Sequence, residues 1–136
     1  MTSPSLELQG AIVARLKTYP ALSSIVGERI FDRVPPEVVF PYVSWGPDQS
    51  VSDDADCITG FEVSIQIDAW SRTVGLPEVK RIADAVRAAL HDHDLALADN
   101  ALVSIRHRQT RNFRDPDGLT NHAVIEFVAL IEQPQS

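Results

Sequence analysis

The stretch Phe61-Glu-Val-Ser-Ile-Gln-Ile-Asp-Ala-Trp-Ser-Arg72 alternates apolar and polar side chains without a break, and it decides the fold. One face collects the apolar members, namely Phe61, Val63, Ile65, Ile67 and Ala69. Strict two-residue alternation is typical of a strand with one buried face. A slip of one residue would point all five apolar side chains toward solvent, so the register is strongly fixed. The stretch therefore predicts an antiparallel sheet with one covered face.

Composition bounds the class of protein. The chain has 136 residues and a net charge of -7, and we expect one domain over residues 1–136. No apolar run approaches the ~20 residues of a membrane span, and we expect no signal peptide and no membrane partner. Cys57 is the only cysteine, so no internal disulfide is expected. The negative charge argues against a protein that coats DNA, although it does not exclude a local basic patch.

Two amphipathic helices are predicted, one before and one after the strand Phe61–Arg72, which we call the organising strand. Ser3-Pro4 is typical of a helix start, and Pro20 places the end of that helix near Lys17–Thr18. The second helix begins at Pro77, and its apolar residues recur at helical spacing over Val79–Leu90. The segment Ala21–Val26 is short, and we expect at most one helical turn there.

Two short strands are predicted before the organising strand, over Arg29–Val34 and Pro41–Gly46. The polar segment Asp48–Asp56 is interpreted as a long, mobile loop.

A long hairpin is predicted at the C-terminal end, with strands Leu102–Phe113 and Thr120–Glu132. Asp115-Pro116-Asp117-Gly118 is a strong turn signal. The predicted pairs are Arg114 with Leu119, His107 with Glu126, Ile105 with Val128 and Val103 with Leu130. The tip, from Arg106 to His122, is polar on both faces and is expected to reach water or a partner. The last strand is apolar on both faces, as expected of a central strand covered on both sides.

The order of elements predicts an α+β fold. It comprises a largely antiparallel sheet, two helices packed on one face and a long projecting C-terminal hairpin.

Four arginines within nine positions form the one unusual constellation: Arg106, Arg108, Arg111 and Arg114. Plain alternation puts Arg106, Arg108 and Arg114 on one face, and Arg111 with His107 and Phe113 on the other. Three uses stay open. A nucleic-acid groove wants basic charge with stacking aromatics, and only Phe113 is available. The arginines could pair with acidic residues of a neighbouring subunit, or they could guard an exposed strand edge.

No residue pattern supports catalysis, and we expect no catalytic, cofactor-binding or metal-binding residues. His91 and His93 alternate with Asp92 and Asp94, but i and i+2 side chains diverge on a helix, so solvated residues at a helix end are favoured over a metal site. Cys57 has no base placed beside it. The acidic residues Asp53, Asp54 and Asp56 lack the spacing of an EF-hand and are interpreted as a solvated loop.

Several short motifs, in order, resemble one family. They are Gly27-Glu28-Arg29-Ile30, Pro35-Pro36, Phe40-Pro41-Tyr42-Val43, Ile67-Asp68-Ala69-Trp70-Ser71, the helix Val79–Leu90 and Arg114-Asp115-Pro116-Asp117-Gly118-Leu119-Thr120. Together they resemble the tail terminator, or tail-completion, proteins of long-tailed bacteriophages and gene transfer agents. The resemblance covers nearly the whole chain.

The resemblance implies a structural, non-enzymatic protein of a virion or phage-like particle, assembled in the host cytoplasm. Such proteins cap the tail tube, end its polymerisation and join the head, and they act as rings, usually hexamers. The implied partners are the tail tube protein and a head-completion or connector protein, with DNA passing through the channel without specific binding. Alternatives are a head-completion protein of the same particle and a small cytoplasmic adaptor or ligand-binding domain.

A ring needs heterologous contacts between subunits. The sequence offers opposite charges for one. Our hypothesis is an interface in which Arg106, Arg108, Arg111, Phe113 and Arg114 contact a neighbour. A second hypothesis places Asp53, Asp54 and Asp56 near the channel, where negative charge keeps DNA from sticking.

Overall fold

A computed structural model describes residues 2–134 of the chain. The helices are α1 (Pro4–Thr18), α2 (Pro20–Val26) and α3 (Pro77–Leu90). The strands are β1 (Ile30–Phe31), β2 (Tyr42–Ser52), β3 (Thr59–Ser71), β4 (Ala101–Arg114) and β5 (Asn121–Gln133). They form one sheet in the order β1-β2-β3-β5-β4, in which only the β1–β2 pair is parallel. The predicted α+β fold is confirmed, including the C-terminal hairpin β4–β5.

The organising strand behaves as its alternation predicts. Val63, Ile65, Ile67 and Ala69 are buried, whereas Ser64 and Gln66 between them are half-buried on the other face. β3 pairs with β5 without interruption, so that their odd-numbered residues lie side by side beneath the helices. Phe127, at the centre of β5, is fully buried. The opposite face of the sheet, which we call the open face, carries no helix within residues 2–134.

Local sequence explains the helices. The Ser3 hydroxyl accepts a hydrogen bond from the Leu6 amide at 3.3 Å and caps α1. α3 buries Val79, Ile82 and Val86 against β3, β4 and β5. The segment expected to form one turn is instead the seven-residue helix α2, because Leu22 and Val26 are anchored in the core. No helix in residues 2–134 has both the length and the apolar character needed to cross a membrane.

β2 corrects the prediction of a loop over Asp48–Asp56. The strand continues to Ser52, and β3 provides its hydrogen-bonding partner along this length. The segment looked like a loop because Asp48–Ser52 is exposed on both faces. A bulge between Trp45 and Asp48 contains Gly46 and Pro47. Only the turn that follows Ser52 lies outside the strands.

The predicted register of the terminal hairpin is correct only at its base, where Leu102 lies opposite Ile131. Two bulges, between Leu102 and Ser104 and between His107 and Gln109, each add one residue to β4. The observed pairs are Ser104–Leu130, Ile105–Ala129, His107–Phe127 and Arg114–Asn121. In a hairpin without bulges, the two residue numbers of every pair add up to the same value, and each extra residue in β4 raises that value by one. The pairs predicted for Val103, Ile105, His107 and Arg114 are therefore wrong.

β5 is the central partner of β3 and β4, but the helices cover only one of its faces. Val128 and Leu130 remain half-buried on the open face. The expectation that β5 is covered on both sides is therefore met only in part within one chain.

The two ends of the sheet differ in chemistry. The hairpin end holds the β4–β5 turn and the loops before β2 and after β3. The acidic end holds the β2–β3 turn, which contains Asp53, Asp54 and Asp56. The thirteen residues of β3 separate these ends by about 40 Å.

Candidate assembly interface

Three of the four hairpin arginines share the open face. Arg106 pairs with Val128 and Arg111 with Val124, and both partners lie on that face of β5. Arg108, in the bulge, lines a shallow groove on the same face with Gln66 and Glu126. The predicted division into faces is wrong, because the bulge after His107 reverses the alternation. Arg111 and Phe113 join the face of Arg106, and Arg114 moves to the helix side.

The arginines are exposed and largely unpaired. Arg106 contacts Asp92, with Nε to Oδ1 at 3.4 Å, and its side chain is 72% exposed. Arg108, Arg111 and Arg114 form no ion pair with any residue between 2 and 134. They lie on an edge strand, since β4 has a neighbour only on its β5 side. The result is a row of exposed arginines, which we call the arginine row, in a protein of net charge -7.

Gly60 allows the acidic turn to pack closely against the sheet. A Cβ on Gly60 would lie 2.5 Å from the Asp53 carbonyl oxygen, so only glycine allows this approach. The Asp54 carboxylate accepts a hydrogen bond from the Gly60 amide at 3.1 Å. Asp53, Asp54 and Asp56 remain exposed. The structure does not bring these acids to Arg114, which lies at the other end of the sheet.

An aromatic band crosses all five strands on the open face near the hairpin end. Its members, in strand order, are Phe31, Tyr42, Trp70, His122 and Phe113. The ring centroids are 6.1 Å apart for Phe31–Tyr42, 6.1 Å for Tyr42–Trp70, 3.7 Å for Trp70–His122 and 4.8 Å for Phe113–His122. Burial raises the pKa of the Tyr42 hydroxyl. The band links side chains of all five strands at this end of the open face.

A buried polar group accompanies the band. His122 Nε2 lies 2.7 Å from Asp68 Oδ1, and Gln66 Nε2 donates to the same carboxylate at 3.1 Å. The Trp70 indole N–H donates to Ser44 Oγ at 2.9 Å. His122 Nδ1 lies 3.7 Å from Asp115 in the hairpin turn. Sequence reasoning missed this cluster. The available signal was His122 following a turn and Asp68 within an apolar strand, and only the β3–β5 register connects them.

Arg72 ties together the loops of the hairpin end. Its guanidinium lies 4.2 Å from the Phe40 ring centroid, and its Nε donates to Thr120 Oγ1 at 3.2 Å. Asn121 Nδ2 donates to the Thr73 carbonyl at 2.9 Å. Thr120 and Asn121 are buried by these contacts, so the expectation that the whole tip reaches water or a partner is wrong for them. Only the turn itself protrudes.

The hairpin turn is rigid. The Asp117 carboxylate accepts hydrogen bonds from the Thr120 and Leu119 amides, both at 2.9 Å, and these bonds hold its pKa below the usual range. Gly118 adopts φ +72°, which glycine tolerates. This geometry fixes Leu119 with its side chain 69% exposed.

The remaining histidines make contacts on the helix side. The His107 amide donates to His91 Nδ1 at 2.9 Å, and Arg87 Nε donates to His107 Nδ1 at 3.3 Å. Burial, Arg87 and then His91 lower the pKa of His107. His93 lies beside Arg15. Among residues 2–134, no three His, Cys, Asp or Glu side chains converge as metal ligands would.

The geometry is that of a protein surface with a charged edge and a rigid, apolar-tipped turn. Comparison with known proteins gives it a context. The family model of tail completion protein gp17 matches residues 10–132. A chain in a solved structure of the virion of a native gene transfer agent particle is 26% identical, with a TM-score of 0.89. The match covers 97% of this chain and 99% of that one. A search of curated proteins found no match.

The family match spans nearly the whole chain, and the similar fold comes from a virion. The chain therefore belongs to the tail completion protein gp17 family and is a component of a virion.

Proposed function

We propose that this protein is a tail terminator. Copies form a ring, expected to be a hexamer, that caps the tail tube, ends its polymerisation and provides the tail side of the head–tail junction. The role is structural and needs no catalysis. The tube protein lies on one side of the ring and a head-completion or connector protein on the other, and DNA passes through the channel without specific binding.

The observation that carries the proposal is that Arg108 and Arg111, on the open face of an edge strand, have no ion-pair partner among residues 2–134. A row of free guanidinium groups is suited to acidic side chains on another chain. In the same molecule the acidic turn lies at the far end of the sheet, about 30 Å along β5 from the position opposite Arg111. Two complementary but separate surfaces are the requirement for a heterologous contact, and heterologous contacts close into rings.

The arginine row is tested by reversing charge at Arg108 and Arg111. The double variant R108E/R111E should dissociate the ring, because two attractive contacts per interface become repulsive. Size-exclusion chromatography and negative-stain electron microscopy measure the outcome. K80E/R81E on the exposed side of α3 is the matched control, with the same charge change away from the sheet. A ring that survives R108E/R111E unchanged would contradict the proposed interface.

The capping role is tested in particles. Tails assembled without this protein should exceed the normal length, and the purified ring should bind tail tubes. Binding to portals but not to tubes would instead identify a head-completion protein.

The acidic turn has a second proposed role in the channel. Asp53, Asp54 and Asp56 would repel DNA from the wall and speed its passage. A ring structure with this turn on the outer surface would contradict that role.

A further inference from the structure

We infer that subunits join end to end, with the hairpin turn of one copy seated in an apolar groove at the acidic end of the next. This inference rests on the proposed ring and specifies which surfaces meet. The inserted element is Leu119 with Arg114 beside it. The receiving groove lies between the β2–β3 turn and the first residues of β4.

The groove has an apolar floor and an acidic rim. Ile58 and Val103 line it with side chains that are 45% and 56% exposed, and Leu130 completes the floor. Asp53 and Glu132 stand at its edges. Neither acid forms an ion pair with another residue between 2 and 134. The groove exists because Val103 is a bulged residue of β4 and because Gly60 lets the β2–β3 turn fold close to the sheet.

The hairpin turn matches the groove in shape and charge. Leu119 is an exposed apolar side chain at the end of a turn that Asp117 holds rigid, so little conformational entropy is lost when it is buried. Arg114 is exposed and lies beside Gly118 and Leu119 around a neighbouring depression. An apolar side chain with one cation fits a floor of apolar side chains with two carboxylates.

A second copy is the occupant that this complementarity favours. The turn and the groove lie about 40 Å apart at opposite ends of β3, so they cannot meet within one chain. Each copy carries one of each. The contact is therefore heterologous, and it closes into a ring when the rotation between copies allows.

The native Cys57 provides a direct test, since it is exposed and adjacent to Ile58 in the groove. Leu119→Cys should be joined to Cys57 of the next copy by a short bis-maleimide. Denaturing gels should then show a ladder that ends at the ring size. Val39→Cys is the matched control, because Val39 is 63% exposed in the loop before β2, at the same end of the sheet, and lines neither the groove nor the depression around Leu119. Leu119→Cys/Cys57→Ser should lose the ladder.

Charge exchange gives an independent measurement. Arg114→Glu should weaken the contact at least about tenfold, and adding Asp53→Lys should recover most of that loss. Rings seen by electron microscopy without cross-linking of Leu119→Cys, or with equal cross-linking of Val39→Cys, would overturn the end-to-end contact and leave the ring intact. Absence of rings in the unmodified protein would instead overturn the proposed function as well. Dimers joined through Cys57 alone would indicate a symmetric contact and also overturn the inference.

Discussion

Removing the Asp68 carboxylate should destabilise the protein more than any change on the exposed part of the open face. Asp68 is 6% exposed, and its carboxylate lies 2.7 Å from His122 Nε2 and accepts from Gln66. Asp68→Ala deletes both contacts and leaves two polar groups short of a partner in a nearly buried place. Hydrogen bonds to a charged group contribute about 1.5–3 kcal/mol each, and a buried polar group left without its partner costs about 1–3 kcal/mol.

We therefore expect Asp68→Ala to lower the free energy of unfolding by about 3 kcal/mol, a large part of the ~5–15 kcal/mol that a domain of this kind possesses. With a urea m-value of about 2 kcal/mol/M, the midpoint should fall by about 1.5 M. Tryptophan fluorescence provides the assay, because Trp70 stacks on His122 at 3.7 Å. Curves at several protein concentrations separate unfolding from dissociation.

A double-mutant cycle with His122→Ala isolates the pair. The coupling energy should be about 1–2 kcal/mol, as expected for side chains in direct contact. Glu62→Ala is the matched control, since Glu62 is an exposed carboxylate on the same face of the same strand, and its loss should change stability by less than about 0.5 kcal/mol. A coupling energy near zero, or equal midpoints for Asp68→Ala and Glu62→Ala, would refute the reasoning.

Two further predictions concern pH and the acidic turn. The pKa of His107 is lowered by burial, Arg87 and His91, so its neutral form is favoured in the folded state. Its stabilising contribution is complete above the unfolded pKa near 6.5 and is lost as pH falls from there through the lower pKa of the folded state, and His107→Gln should flatten the pH dependence of the urea midpoint between pH 7 and 5. Gly60→Ala should lower the free energy of unfolding by about 1–3 kcal/mol, since its Cβ would meet the Asp53 carbonyl oxygen at 2.5 Å, whereas Gly10→Ala meets no atom within 4 Å and should be neutral or stabilising. An unchanged midpoint profile in His107→Gln, or equal effects of the two glycine changes, would contradict these expectations.

The fold was predictable where one local signal decides one element. Alternation places Phe61 and Val63 toward the same side, and the structure pairs their strand without interruption along β5. Helical spacing over Val79–Leu90 likewise gave α3, which ends at Leu90. In both cases a slip or a rotation would expose a whole apolar set, so sequence and structure agree.

The hairpin register was not predictable in this way. A bulge at Arg108 needs no special residue, and the sequence His107-Arg108-Gln109 contains no glycine or proline that would predict a bulge. The consequence is large, because a single extra residue moves Arg111 to the open face and Arg114 to the helix side. The β2 bulge had a better signal in Gly46-Pro47, since proline inside a strand is confined to edges and bulges.

The His122 cluster escaped prediction for a different reason. His122 and Asp68 are 54 positions apart in sequence and meet because β5 lies directly beside β3. The chain order of strands does not give this neighbour relation, since β4 precedes β5 but lies outside it. Long-range polar pairs of this kind depend on the order of the strands in the sheet. The alternation within a single strand carries no information about that order.

Two of the uses considered for the arginine row, protection of an exposed strand edge and contact with a neighbouring subunit, are compatible. An unbroken edge strand invites pairing with any other chain, and bulges and charges discourage it. β4 has both devices, with two bulges and four arginines, and β2 has a bulge just beyond its short pairing with β1. Continuous edge-to-edge sheet growth is thereby disfavoured, yet the same arginines remain free to pair with acidic side chains. Guarding an edge and contacting a neighbour are thus compatible roles. With backbone pairing discouraged at both edges, the end-to-end contact that we propose depends on side chains at the ends of the sheet, and such a contact does not extend the sheet itself.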